Sequence, residues 1–364
     1  MKQNLRLPGP TPLPSEVQHA MDRDMIDHRG PEFSEMLLRC TVLLKKFYRT
    51  ENDVLIYPGT GTGGLEAAIA NSFSPGSAVL AVTVGVFGDR FARIADSFGL
   101  DVRRLSLPRG RAVEPEQLRH ALDDNSDVVG VMLTHNETST GVTNPLAELA
   151  PIVKERGLLL LVDGVSSVGA MPVETDALDL DIVVSGSQKA WMSPPGLVML
   201  SVSPRAWEAA GNARLPRYYW DFKIAKTALE KGYTHYTPAV SLFYALDVAL
   251  QLMDDEGMEN IWARHHKLAD YTRRSVREAG LDLFADERYA SDSVTALKTP
   301  DDVDASRLRE RLRDEFGVTL GDGQAEMAGR VLRIGHMGYV HENDLHETFD
   351  ALRQALGAER EVRV

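Results

Sequence analysis

"LDIVVSGSQKAWMSPPGLVMLSV", residues 180–202, holds two apolar runs around a lysine, a tryptophan and a pair of prolines. A strand buried on both faces has this continuous apolar texture, whereas a half-solvated strand alternates with polar residues. The connection between the runs is stiff, because Pro194 and Pro195 each fix a backbone dihedral. A lysine that needs only solvent does not require such a setting. Lys189 is therefore a candidate for a chemical partner.

The same texture extends outward. "DVLIY" precedes a glycine-rich loop and the helical "GLEAAIANSF"; "AVLAVTV", "DVRRLSL", "DVVGVML" and "LLLLV" read as further strands. Amphipathic helices separate them, among them "FGDRFARIADSFG" and "PLAELAPIVKER", the latter opened by Asn144 as cap and Pro145. Apolar strands alternating with helices predict an α/β fold with a mainly parallel sheet covered on both faces. Beyond residue 240 the texture changes to long helices and two shorter strand-like runs, "SVTALKT" and "VLRIG". The expected organisation is an N-terminal arm over 1–15, a large domain over 16–255 and a small α+β domain over 256–364.

Bulk properties narrow the function. The chain has 364 residues, 43% apolar and 26% charged, with a formal charge of −13, which disfavours nucleic acid or an anionic membrane as the main partner. The start "MKQNLRLPGPTPLP" lacks a signal-peptide core, and no apolar run approaches a membrane span, so a cytoplasmic location is expected. The one cysteine, Cys40, lies on the apolar stripe of the helical segment 33–48, which suits a buried structural thiol.

Ligands of parallel sheets bind beyond the carboxyl ends of the strands. Four features fall there: "PGTGTGG" at 58–64, "THNETSTG" at 134–141, Asp163, and Lys189. Glycines before a helix leave free N–H groups for an anion, although the same residues also serve a plain turn. An aspartate after a strand is commonly a cap, and a lone lysine is commonly solvated. Together, however, an amine, a carboxylate and a phosphate cradle are what pyridoxal 5′-phosphate chemistry requires. Gly59, Gly61 and Gly64 also satisfy the dinucleotide pattern of an NAD-dependent dehydrogenase, but no acidic residue ends the next strand, and that reading leaves Lys189 and Asp163 unexplained.

"LVDGVSSVGA" followed by "VSGSQKAWMSPPGLVMLSVS" resembles the class V aminotransferases, fold type I enzymes dependent on pyridoxal phosphate. The likeness is greatest to the alanine–glyoxylate and serine–glyoxylate (serine–pyruvate) group, and it runs from "LPGPTPLP" to "VLRIGHMG". The resemblance implies that Lys189 forms a Schiff base with the cofactor and that Asp163 pairs with its pyridine nitrogen. It implies Thr60, Gly61, Thr62 and Gln188 at the phosphate, Phe87 and Val165 on the two ring faces, and Thr138 near the ring hydroxyl. Arg333 would clamp the substrate carboxylate, with Gly9 nearby. Tyr236 and Thr237, with Tyr233 as a rival, would reach the phosphate of a second subunit in a homodimer. The implied reaction is ping-pong transfer of an amino group from alanine or serine to glyoxylate or pyruvate. Pyridoxamine–pyruvate and 2-aminoethylphosphonate aminotransferases share this scaffold and remain alternatives. A single arginine without a second cation points to small monocarboxylic substrates. His265 and His266 are adjacent on a helix and face different sides, so no metal site is expected there.

Overall fold

The computed structural model describes residues 3–361. Seven strands form the main sheet: β2 (Asp53–Gly59), β3 (Ala78–Thr83), β4 (Asp101–Ser106), β5 (Gly130–Thr134), β8 (Leu159–Asp163), β9 (Ile182–Gly186) and β10 (Gly196–Val202). Their spatial order is β2-β10-β9-β8-β5-β3-β4. β4, β3, β5, β8 and β9 are parallel; β10 runs antiparallel to both β9 and β2.

Successive residues of the apolar strands enter different cores, as the two-residue period of a strand requires. Leu80, Val82, Val131, Leu133, Leu160, Val162 and Val183 join one cluster, with helical Leu118, Leu122, Leu146 and Leu149. Val79, Ala81, Met132, Leu161, Ile182 and Val184 join the other, with Leu65, Ala68 and Phe91 from the helices 61–72 and 86–97. The sheet is thus covered on both sides, and the continuous apolar runs follow from that.

A second sheet combines the ends of the chain. β1 (Asn4–Arg6), β11 (Asp282–Leu283), β12 (Val294–Lys298), β13 (Val318–Asp322) and β14 (Val331–Gly335) take the order β1-β13-β14-β12-β11. β1 pairs in parallel with β13, so the arm expected at 1–15 contributes a strand to the C-terminal sheet. Helices 258–278, 305–316 and 342–361 share its core through Leu268, Leu308, Leu312, Leu345 and Phe349.

Two details differ from the sequence reading. The hydroxyl-rich 134–141 segment contains a small hairpin, β6 (Asn136–Glu137) with β7 (Val142–Thr143). Asn144 does not cap the following helix. Its amide donates to the Thr134 carbonyl at 2.7 Å and accepts from the Val113 N–H at 3.0 Å, tying together segments that lack backbone pairing.

The stiffness around Lys189 has a structural cause. Trp191 is fully buried, donates to the Ser185 hydroxyl at 2.7 Å, stacks on Tyr48 and meets Phe47 edge-on. Truncating a tryptophan in such a position costs about 3–5 kcal/mol. Ser187 links the two strand ends, donating to the Pro194 carbonyl and accepting from the Leu197 N–H. The turn carrying the lysine is therefore anchored on both sides.

Candidate active site

The Lys189 side chain follows β9 and projects toward the N-terminal segment, where its Nζ donates to the Pro8 carbonyl at 2.6 Å. Its backbone carbonyl accepts from the Thr11 hydroxyl, and the neighbouring Gln188 carbonyl accepts from the Thr11 N–H. Gly9 has φ of +142°, and a Cβ there would stand 2.7 Å from the lysine nitrogen. Only glycine leaves the amine its room and tolerates this backbone. Burial, with the Arg333 guanidinium also acting on it, lowers the amine from 10.5 to about 8.

Asp163 ends β8 beside it. The carboxylate is 5% exposed and accepts the Val165 N–H at 3.0 Å through Oδ1. Burial raises its pKa to about 6; the Val165 bond works against this, and buried Glu137 adds to it. An acid pushed up and a base pushed down, close enough to influence one another, mark a site where charge is costly and a compensating ligand charge is favoured.

The glycine loop opens the helix Gly61–Ser72, and the side chain of Thr60, its cap residue, makes no capping hydrogen bond. The first-turn N–H groups have no acceptors within the helix and face outward. Gly61 has a steric role, because a Cβ would lie 2.6 Å from a Val165 methyl. Thr62 Oγ1 accepts from Arg90 at 3.4 Å, and the Arg90 guanidinium sits 4.8 Å from the centre of the Phe87 ring. Gln188 turns its side-chain Oε1 into the interior with no hydrogen-bond partner among the described residues. Thr138 shares a hydrogen bond of 2.8 Å with Ser166. Val165 packs over the glycine loop, so these residues gather at one end of the sheet, as strand-end reasoning expects.

Arg333, on β14, crosses from the smaller sheet. It is 8% exposed, donating through Nε to the Asp322 carbonyl at 2.8 Å and through Nη1 to the Thr138 carbonyl at 3.2 Å. A cavity of about 380 Å³ brings Gly9, Phe87, Thr138, Lys189 and Arg333 together.

The pattern described as aminotransferase class-V matches residues 9–346 of this chain. The chain belongs to the class V aminotransferases. It is similar to the L-aspartate–glyoxylate aminotransferase of Paracoccus denitrificans, 40% identical over 339 residues, covering 91% of this chain and 85% of that protein. It is equally similar, 40% over 358 residues, to a protein of Anabaena cylindrica named as the 42 kDa subunit of a soluble hydrogenase, covering 98% and 93% of the two chains. Among solved structures, alanine–glyoxylate aminotransferase from a Nostoc species superposes with a TM-score of 0.94 at 34% identity, over 97% and 95% of the chains. This chain is accordingly a transaminase of fold type I, and enzymes of this family and fold depend on pyridoxal phosphate.

Within this family member, Tyr236 and Thr237 stand apart from the cavity. Tyr236 stacks against Tyr218 and Tyr219 at 5.8 and 5.3 Å, and Thr237 is exposed. Tyr233 is half-buried. His265 is buried, bonded to the Ala170 carbonyl and the Gly338 N–H, while His266 lies outside on Asp292, so the two do face different sides. Cys40 is buried, and burial beside Asp247 pushes its thiol well up, keeping it protonated.

Sequence reasoning missed three groups. Glu137 is fully buried and accepts the N–H groups of Phe87, Gly88 and Ser139, which seats the start of the helix 86–97 under the site. The expectation of a single arginine also fails: Arg309 and Arg313 line the same cavity as Arg333. They come from the helix Ala305–Phe316, whose arginines at 307, 309, 311 and 313 are indistinguishable in sequence. Among the described residues no helix is long and apolar enough to cross a membrane.

Proposed function

We propose that this chain moves an amino group from a small amino acid such as alanine or serine to glyoxylate or pyruvate, in two half-reactions at Lys189. The observation that carries the reading is the half-buried amine of Lys189, within electrostatic reach of Asp163 and Arg333 at the carboxyl end of the main sheet.

The residues present fit a phosphorylated pyridine aldehyde. The free first-turn N–H groups at Gly61 and Thr62, with the hydroxyls of Thr60 and Thr62, offer a phosphate its donors, to which the Gln188 side chain would add its amide N–H. Phe87 and Val165 would supply apolar walls for its ring. Thr138, already bonded to Ser166, has an oxygen for the ring hydroxyl. Pyridoxal phosphate supplies a carbonyl that captures amines and a protonated ring that draws electrons from the substrate Cα.

Lys189 is the residue that would hold that carbonyl, and its amine, when neutral, is placed to take up the substrate Cα proton and give it back. Asp163 would face the ring nitrogen, where a positive partner would offset the cost of burying its carboxylate. Arg333 holds the α-carboxylate and so orients the Cα–H bond toward the amine. Gly9 leaves room for the exchange. Tyr236 and Thr237, which lie outside the chain's own cavity, serve the phosphate of a second copy, making the working unit a homodimer.

Mixing the yellow holoenzyme with L-alanine or L-serine should bleach the cofactor band to the pyridoxamine form, and glyoxylate or pyruvate should restore it. Persistence of the yellow band with all amino acids would refute the reading.

The pH response follows from the lowered lysine. Only the neutral amine attacks a carbonyl, and raising the pH deprotonates it, so cofactor capture by cofactor-stripped protein accelerates with pH. The capture rate should climb roughly tenfold from about pH 6 to about pH 7, then flatten above about 8, where the amine is mostly neutral. A flat profile across that range in stopped-flow absorbance would contradict the assignment.

A further inference from the structure

We propose that Ser166 fixes the direction of the Thr138 hydroxyl proton, so that Thr138 shows the cavity only lone pairs and accepts a hydrogen bond from the cofactor's ring hydroxyl. Thr138 is the residue that meets the ring, and Ser166 acts through it as a positioning residue. The inference rests on the reading of the site given above and concerns which of the two partners holds the proton.

Counting protons carries it. Ser166 Oγ is buried and has one proton to give and two lone pairs to receive with. Three partners surround it. The Asn136 side chain donates to it through Nδ2 at 2.8 Å, and the orientation of that amide is set at its other end, where Oδ1 accepts from the Thr143 hydroxyl at 2.8 Å. The Asn136 backbone carbonyl, which can only accept, takes the Ser166 proton at 3.0 Å. The third partner, the Thr138 hydroxyl at 2.8 Å, meets the remaining lone pair and is therefore the donor.

The opposite arrangement is costly. In the β6–β7 hairpin the Asn144 N–H bonds the His135 carbonyl, so the next pair, Asn136 with Thr143, is one that exchanges no backbone bonds. That leaves Ser166 as the donor to the Asn136 carbonyl. Turning its proton toward Thr138 would orphan a buried acceptor.

Thr138 is 4% exposed and lines the cavity with Phe87, Lys189 and Arg333. Its own carbonyl is occupied by Arg333 at 3.2 Å, and the preceding residue, Glu137, turns its carboxylate to the N–H groups of Phe87, Gly88 and Ser139. Toward the cavity, then, the Thr138 hydroxyl is an acceptor. A ring O–H finds a partner there and a ring O⁻ does not, so the site holds the cofactor's proton to a higher pH than a donor would. The charges that act on this region, Asp163, Glu137, Lys189, Arg90 and Arg333, are common to every variant below, so differences between variants isolate the hydroxyl.

The test is a pH titration of the visible band of the holoenzyme without substrate. In Ser166→Ala the Thr138 proton is released to the ring oxygen, and the midpoint should fall by about one unit, a tenfold weaker hold on the cofactor's proton. Asn136 Nδ2 keeps its bond to Ser293 at 2.9 Å in that variant. Thr138→Val removes no donor from the ring and should not raise the midpoint. The double variant, with no hydroxyl left to turn, should lose the fall seen in Ser166→Ala. A midpoint unmoved in Ser166→Ala, or raised by a unit in Thr138→Val, would show Thr138 donating to the ring and overturn the proposal. Thr138→Val leaves Ser166 bonded to both Asn136 groups, so that arm decides the matter even where Ser166→Ala does not fold. Bleaching of the intact protein by L-alanine would leave the proposed reaction standing in either case. A protein with no visible band in excess pyridoxal phosphate would overturn the reading of the site as well.

Discussion

Lys189→Ala is expected to abolish both the yellow cofactor band and the pyridoxyl adduct trapped by borohydride, and to lower turnover by at least ~10⁴-fold. The size follows from losing two functions at once: a covalent hold on the cofactor and a general base, the latter alone contributing about 10²–10⁴. The substitution removes one hydrogen bond, to the Pro8 carbonyl, and leaves the anchoring of the turn by Ser187 and Trp191 in place. An unchanged far-UV spectrum and melting curve would separate lost chemistry from lost structure. A tag recovered on another peptide of the intact protein, or an alanine variant that still turns over, would dismiss the assignment.

The second large effect is expected at Asp163. Asp163→Asn keeps the shape and can keep the hydrogen bond from the Val165 N–H, but it removes the charge. The variant should still take up cofactor and still yield the Lys189 adduct, yet kcat should fall by about 10²–10³, the range for deleting one preorganised electrostatic partner of a developing charge. Its burial matters here. In water a carboxylate is a weak partner, whereas this one is buried and its pKa of about 6 shows how poorly the interior solvates it alone. Rapid-scan spectra locate the defect: slow bleaching by the amino donor with normal cofactor content supports the role, and full-speed bleaching refutes it.

Much of this site could be read before any fold was known, because a parallel sheet collects its strand ends on one edge. Asp163, Lys189, the 58–64 loop and the 134–141 segment each follow an apolar run, and locating the runs located the residues. The groups that escaped have no such marker. The Pro8 carbonyl is a backbone atom. Glu137 sits among hydroxyls and reads as loop polarity, although it is buried and caps the helix beneath Phe87. Arg309 and Arg313 belong to a helix rich in arginine, and only the packing of that helix on the small core through Leu308 and Leu312 decides which of them meets the cavity. Asn144 shows the opposite error: Asn-Pro before a helix looks like a cap, but local chemistry yielded to a lateral tie between Thr134 and Val113.

Strand β1 belongs to the smaller sheet, yet the residues immediately after it touch the reactive nitrogen and the backbone that carries it. Residues 4–11 therefore form a direct link from one sheet to the other, reaching position 189 without passing through the main core.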